Sequence, residues 1–222
     1  MTPRTAAARR HCLAGLLLLA GFASGAWAYT PEEGDLVFQT SLSRQSRAIQ
    51  QATRSPYSHV GIVLFRQGKP YVFEAVQPVK YTPLPDWLAR GKNGHFVAKR
   101  TRQPLAKSAL AAFHRQAASF AGKPYDLTFE WSDARLYCSE LVWKLYKAAG
   151  IELAPLARLG SFDLGEPEVQ KMLIQRYGGK VPLAEPVISP AALFDSPLLQ
   201  TVAEENYPRT GSKIASRLRS SQ

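Results

Sequence analysis

"DARLYCSELVWKLYKAAG", Asp133 to Gly150, is the stretch on which the reading of this chain turns. Counting from Cys138, the apolar residues Leu141, Val142, Leu145 and Ala149 fall at offsets three, four, seven and eleven. That is the buried stripe of a 3.6-residue period, so the stretch predicts an amphipathic helix with a cysteine at its opening. A cysteine there is either a small hydrophobe beginning the stripe or a thiol presented by the helix end. Unpaired N–H groups and the helix dipole at an N-terminus favour a thiolate, and they also form a natural site for an oxyanion.

Cysteine usage separates the two readings. The chain opens "MTPRTAAARRHCLAGLLLLAGFASGAWA", with Arg4, Arg9 and Arg10 ahead of the apolar run Cys12–Gly21 and Ala26-Trp27-Ala28 behind it. This pattern predicts a secretory signal peptide over residues 1–28, cleaved before Tyr29, and export to a periplasmic or extracellular space. The apolar run is shorter than the roughly 20 residues a spanning helix needs. Cys12 stands at its start, which does not suit a lipoprotein cysteine. Once the leader is removed, Cys138 is the only cysteine. No intramolecular disulfide can then form, and a lone exported thiol points to a reactive group or an intermolecular link.

Without the leader the chain carries 25 basic and 17 acidic residues, a net +8. The excess is scattered, with Arg217 and Arg219 in a polar basic tail expected to be disordered from residue 204 onward. Such a charge suits an acidic partner, either cell-wall polymer or anionic lipid. Nucleic acid is excluded as a partner by export, and no Gly-rich phosphate motif supports a nucleotide site. The oligomeric state is not legible.

Along the chain, Glu33–Thr40 reads as a strand, and "SLSRQSRAIQQATRSP" as a helix capped near Ser41 or Ser43. "YSHVGIVLFRQGKPYVFEAV" reads as two strands around a Gln67-Gly68 turn. A short strand, a helix from Pro85 to Arg90, the strand "HFVAKRT" and a helix over Leu105–Ala121 follow, then the Cys138 helix. Residues 151–187 carry one helical piece at Glu166–Tyr177, and "ISPAALFDSPLLQTV" reads as a capped helical turn with a closing strand. Strands with helices packed on them define an α+β class with a mainly antiparallel sheet, one domain over residues 29–203.

A cysteine nucleophile needs a histidine and a group to orient it. His114 lies among charged and small residues and His95 beside the turn-like Asn93-Gly94; both read as surface. His59 instead opens "SHVGIVLF", a strand apolar enough to be central. With a two-residue turn at Gln67-Gly68, Arg66 pairs with Lys69, Gly61 with Glu74 and His59 with Val76. Glu74 then shares a face with His59 as its diagonal neighbour; a register shifted by two would set it directly opposite, on the same face. A zinc site built on His59, Glu74 and a distant histidine lacks any short ligand spacing, and neither metal nor cofactor is expected.

The pieces "GDLVF", "SHVGIV", "FEAV" and "YCSELVWKLY", in that order, resemble the circularly permuted papain-fold hydrolases of the YiiX/YebB-like group, relatives of the NlpC-type cell-wall peptidases. Unpermuted relatives place the cysteine helix first; here it follows the histidine. The resemblance implies a permuted papain-like fold with Cys138 as nucleophile, His59 as general base and Glu74 as its orienting acid. The backbone N–H of Cys138 is the expected oxyanion donor, with no second donor identifiable. Asp35 and Tyr137 match recurring pieces without an assignable role.

The leading expectation is therefore an exported cysteine hydrolase acting on an amide bond in cell-wall peptides. A lipid acyl hydrolase, thioesterase or acyltransferase on the same fold is the alternative. An apolar slot would distinguish it, and Leu153, Leu156, Leu159 and Phe162 are candidates for the lining. A third reading, a non-catalytic binding module, would not require the complete Cys–His–Glu set.

Overall fold

The computed structural model describes residues 28–208, so the leader and the end of the tail lie outside the described residues. The strands are β1 (Leu36–Gln39), β2 (His59–Arg66), β3 (Lys69–Glu74), β4 (Lys80–Pro83), β5 (His95–Thr101), β6 (Ala157–Arg158), β7 (Pro186–Val187) and β8 (Leu199–Asn206). The helices are α1 (Ser46–Thr53), α2 (Leu84–Arg90), α3 (Lys107–Phe120), α4 (Cys138–Ala148), α5 (Pro167–Tyr177) and α6 (Pro190–Phe194). Six strands form one antiparallel sheet in the order β4-β3-β2-β1-β5-β8, while β6 and β7 pair separately. This is the α+β arrangement the sequence predicts. No helix among the described residues is long and apolar enough to cross a membrane.

Both faces of the sheet are covered, which explains why its central strands read as nearly continuous apolar runs. On one face Leu36, Phe38, Val60, Ile62 and Phe73 pack against Phe113 and Phe120 of α3 and Leu141, Val142 and Leu145 of α4. On the other, Val37, Val63, Val72 and Phe96 pack against Leu84, Trp87 and Leu88 of α2. The alternation along β1 and β2 thus sends successive residues to different cores. A third, smaller cluster joins Ala48 of α1 to Val169 and Leu173 of α5.

The β2–β3 turn has positive φ at both Gln67 (51°) and Gly68 (73°), and Arg66 pairs with Lys69. That backbone twist matches the twist of the strands and fixes the register. The ladder runs to Ile62↔Phe73, which continues Gly61 towards Glu74. A Cβ at Gly61 would come within 2.3 Å of Val72 Cγ1, so glycine there lets the side chain of the neighbouring strand lie across it. β3 stops at Glu74, however, so the expected His59–Val76 pair does not form; His59 pairs with Gln39 of β1.

Other boundaries move for local reasons. α1 starts at Ser46, and Ser41 and Ser43 do not cap it: Ser41 Oγ accepts from Ser43 N–H, and Ser58 Oγ from Ser41 N–H. α6 has the expected cap, Ser189 Oγ accepting from Ala192 N–H at 3.0 Å. Residues 204–206 belong to β8 and pair with His95–Val97, so the polar composition there marks an edge strand, with the disorder expectation left only to residues outside those described.

Candidate active site

α4 begins where the sequence places its cysteine. Tyr137 is extended (φ −101°, ψ 168°), and its N–H donates to Glu140 Oε2 at 3.2 Å, closing the first turn. At the far end Gly150 takes φ 78°, its N–H donates to Lys147 O, and that of Ile151 donates to Tyr146 O. This paired termination is a Schellman motif, which needs a residue tolerant of the left-handed region. Cys138 is thereby held as the first helical residue, almost fully buried, with its thiol at the positive end of the helix.

His59 opens β2 and Glu74 closes β3, so the hairpin carries both to the same end of the sheet. His59 Nε2 lies 2.6 Å from Glu74 Oε2. The ring also interacts with Cys138, which raises the imidazole; with Nε2 committed to the carboxylate, Nδ1 is the nitrogen left for the thiol. The structure therefore brings together all three residues singled out from the sequence.

Glu74 is fully buried and saturated with donors. Its Oε1 accepts from Thr82 Oγ1 at 2.6 Å; its Oε2 accepts from Trp87 Nε1 at 3.0 Å and Arg90 at 2.6 Å as well as from His59. Burial alone would push this carboxyl up. The hydrogen bond and charge of His59, followed by those of Arg90, outweigh it and hold the group at about 2. Burial would likewise lower His59, yet its bonds to Cys138 and Glu74 raise it to about 9. For Cys138, burial pushes the thiol up. The His59 hydrogen bond and charge, with the N–H groups of Val60 and Ser139, bring it below its ordinary value. The electrostatics of the set thus favour a thiolate–imidazolium pair backed by a carboxylate.

Sequence reading missed four contributors. Thr82, Trp87 and Arg90 arrive on β4 and α2, elements that carry no motif. The fourth is Tyr125, in the loop after α3. Its hydroxyl accepts from Gln45 Nε2 at 2.9 Å, and Arg176 in turn donates to Gln45 Oε1. Burial and then the charge of Cys138 keep this phenol protonated well above its usual range. Tyr125 is thus a neutral O–H beside the thiol with its acceptor role already filled. Asp35 and Tyr137 serve structure: Asp35 takes both arms of Arg100 and the Tyr29 hydroxyl, and Tyr137 Oη accepts from Ile188 N–H at 3.1 Å.

Two concavities meet here. A narrow apolar slot ends at Cys138 and is walled by Ile49, Leu159, Phe162, Leu173 and Ile188. Of the four leucine and phenylalanine candidates for such a slot, Leu159 and Phe162 line it. Leu153 and Leu156 pack on the main core instead. The second is a broad, more polar groove that opens on His59 and Gln39; Tyr125 and Met172 line both.

A helix-borne thiol bonded to an imidazole, itself tied to a buried carboxylate, defines a papain-like cysteine hydrolase, and the cysteine following the histidine makes its chain order a permuted one. The chain belongs to the permuted papain-like amidase family of YaeF/YiiX type, C92, which it matches over residues 30–203. It is 50% identical over 181 residues to the uncharacterized protein YiiX of Escherichia coli strain K12, covering 81% of this chain and 90% of that protein. A crystal structure described as metalloprotein yiiX, from Escherichia coli O157:H7, superposes with a TM-score of 0.77 at 50% identity, covering 81% of this chain and all of that one. The chain is accordingly a cysteine hydrolase of the amidase or peptidase kind.

The described residues contain no group of three or more His, Cys, Asp or Glu side chains placed to hold an ion. The zinc alternative would need a third ligand beside His59 and Glu74, but His95 and His114 lie against Glu204 and Glu33.

Proposed function

We propose that Cys138 is the nucleophile, His59 its general base and acid, and Glu74 the group that orients and charges the imidazole. The Cys138 thiolate attacks the carbonyl carbon of an amide. The oxyanion is received by the Cys138 N–H at the head of α4 and by the Tyr125 hydroxyl. His59 delivers its proton to the amide nitrogen as the C–N bond breaks, and the amine leaves behind a thioester on Cys138. Water then attacks with His59 taking its proton, which releases the carboxylic acid and restores the thiolate.

For the substrate, the observation that carries the reading is the apolar slot ending at the thiol. A wall without charge accommodates an aliphatic acyl chain and leaves a charged side chain unsolvated. We therefore infer an acyl-amide hydrolase that keeps the apolar acyl part in the slot and the polar leaving group in the groove beside His59. A cell-wall peptide is the second reading, favoured by the polar lining of that groove, which includes Gln39, Gln77 and Arg90. We infer from the leader pattern that either activity is exerted outside the cytoplasm.

The test is a substrate series at fixed enzyme, with kcat/KM measured for N-acyl amides from two to sixteen carbons and for a cell-wall stem peptide. The trapped acyl-enzyme would be weighed by mass spectrometry. A rise with chain length and a hydroxylamine-labile adduct on Cys138 support the acyl reading. Turnover confined to the stem peptide would replace it with the second.

A further inference from the structure

The three most exposed large apolar side chains among the described residues are Leu42 (62%), Ile174 (62%) and Leu127 (59%). All three line the groove that opens on His59. They come from separate segments: the loop before α1, α5, and the loop between α3 and α4. A single exposed leucine needs no explanation, but three converging from distant segments on one opening do. A merely solvated rim would have no use for them.

The charges around them have one dominant sign. Arg44, Lys171 and Arg176 line the same groove, and Glu168 is the only acid that does. Arg44 and Lys171 are exposed. Lys171 and Ile174 stand three apart on α5, which puts a cation and an apolar tip on one helix face. Apolar tips interleaved with cations form the surface that enters the interface of an anionic bilayer. The rim is also continuous with the slot, since Tyr125 and Met172 line both cavities.

We propose that this rim docks the protein onto a membrane surface carrying anionic lipid. Leu42, Leu127 and Ile174 enter the acyl boundary, and Arg44 and Lys171 face the headgroups. An acyl chain then passes from the bilayer past Met172 and Tyr125 to Cys138 without crossing water. The proposal rests on the acyl reading of the slot for its purpose, although the docking itself is measurable separately.

The experiment uses the chain from Tyr29 onward, the product expected after leader cleavage, because the apolar run Cys12–Gly21 would bind lipid by itself. Sedimentation with vesicles of phosphatidylcholine containing phosphatidylglycerol is compared with pure phosphatidylcholine, for the wild type and the Leu42→Ser/Ile174→Ser variant. The wild type should bind the anionic vesicles preferentially, and the double variant should lose about tenfold or more in partitioning. Its Cys138 should still react with iodoacetamide at the wild-type rate, which reports an intact fold and thiol. Equal partitioning of the two proteins overturns the docking surface whatever the activity. Release of the wild type from vesicles by soluble acidic cell-wall fragments at low concentration also overturns it, assigning the rim to wall polymer. Failure of the wild type to turn over any acyl amide would instead remove the acyl reading and leave the sedimentation result standing.

Discussion

Trp87 lies nearly parallel to the ring of His59, with centroids 5.9 Å apart and 25° between planes, and donates its indole N–H to the same Glu74 oxygen that His59 uses. One side chain of α2 thus fixes the imidazole by its face and the carboxylate by its edge. The carboxylate has no freedom left, because Thr82 and Arg90 complete its shell.

Glu74→Gln tests that arrangement with almost no change of shape. The amide removes the negative charge and points an N–H₂ group at donors that need an acceptor. His59 loses the partner that raises it and Cys138 loses the imidazolium that lowers it. Activity should fall by about 10⁴-fold, in line with replacing the orienting acid of a catalytic triad by its amide. Stability should drop by about 3 kcal/mol, as for breaking a buried ion pair. Denaturant unfolding and kcat/KM on one amide substrate measure both. Activity within threefold of wild type would deny Glu74 its role.

The pH dependence follows from the same pair. Alkylation of Cys138 by iodoacetamide should titrate below the ordinary thiol value, because its pKa is lowered by His59 despite burial. Amide turnover should fall again as pH rises through about 9, where His59 loses its proton. These two limits belong to the coupled pair. For stability, the raised pKa of His59 contributes fully below its ordinary 6.5, and the contribution disappears as pH climbs to about 9. The depressed Glu74 contributes above its ordinary 4.5, and that contribution disappears as pH falls towards 2. Thermal melts of wild type and His59→Ala across this range should therefore converge at high pH. Parallel curves would contradict the shift.

What the sequence made legible was what short-range periodicity controls. The Gln67-Gly68 turn fixed the register, and the period of two put Glu74 on the face of His59 without any knowledge of the rest. The 3.6-residue stripe placed Cys138 at a helix opening for the same reason. Residues delivered by tertiary packing were invisible. Thr82, Trp87 and Arg90 sit on a four-residue strand and a seven-residue helix whose sequences show only ordinary propensities. Tyr125 lies in a loop without period. The end of β8 was hidden by its own polarity: pairing with β5 carries Glu204 to Asn206 as an edge strand, where outward polar side chains are favourable.

Tyr125→Phe tests the proposed oxyanion role of its hydroxyl separately from the thiol chemistry. The ring and its packing remain and only the O–H is lost. With one donor removed, kcat should fall by about 10²-fold, while KM and the iodoacetamide titration of Cys138 stay close to wild type. Gln45→Leu should give a smaller loss in the same direction, since it frees the hydroxyl to rotate away from the reacting carbonyl. A change in KM alone, with kcat intact, would move Tyr125 from the reaction to substrate binding.

The slot yields the sharpest test of substrate class because it can be filled without touching the thiol. Leu159 lines it from the short turn after β6, at the start of a three-residue 3-10 helix packed by Leu183. Leu159→Trp adds a bulky ring to an apolar wall that already has its hydrogen bonds made by backbone, Leu159 N–H donating to Glu185 O at 2.9 Å. Long-chain N-acyl amides should lose about tenfold or more in kcat/KM as the buried methylenes lose their place, while an acetyl amide is turned over as before. Iodoacetamide, which needs no acyl space, should alkylate Cys138 at the wild-type rate and so report that the thiol is undisturbed. If long and short chains suffer equally, the slot is packing and the acyl group of the substrate lies elsewhere.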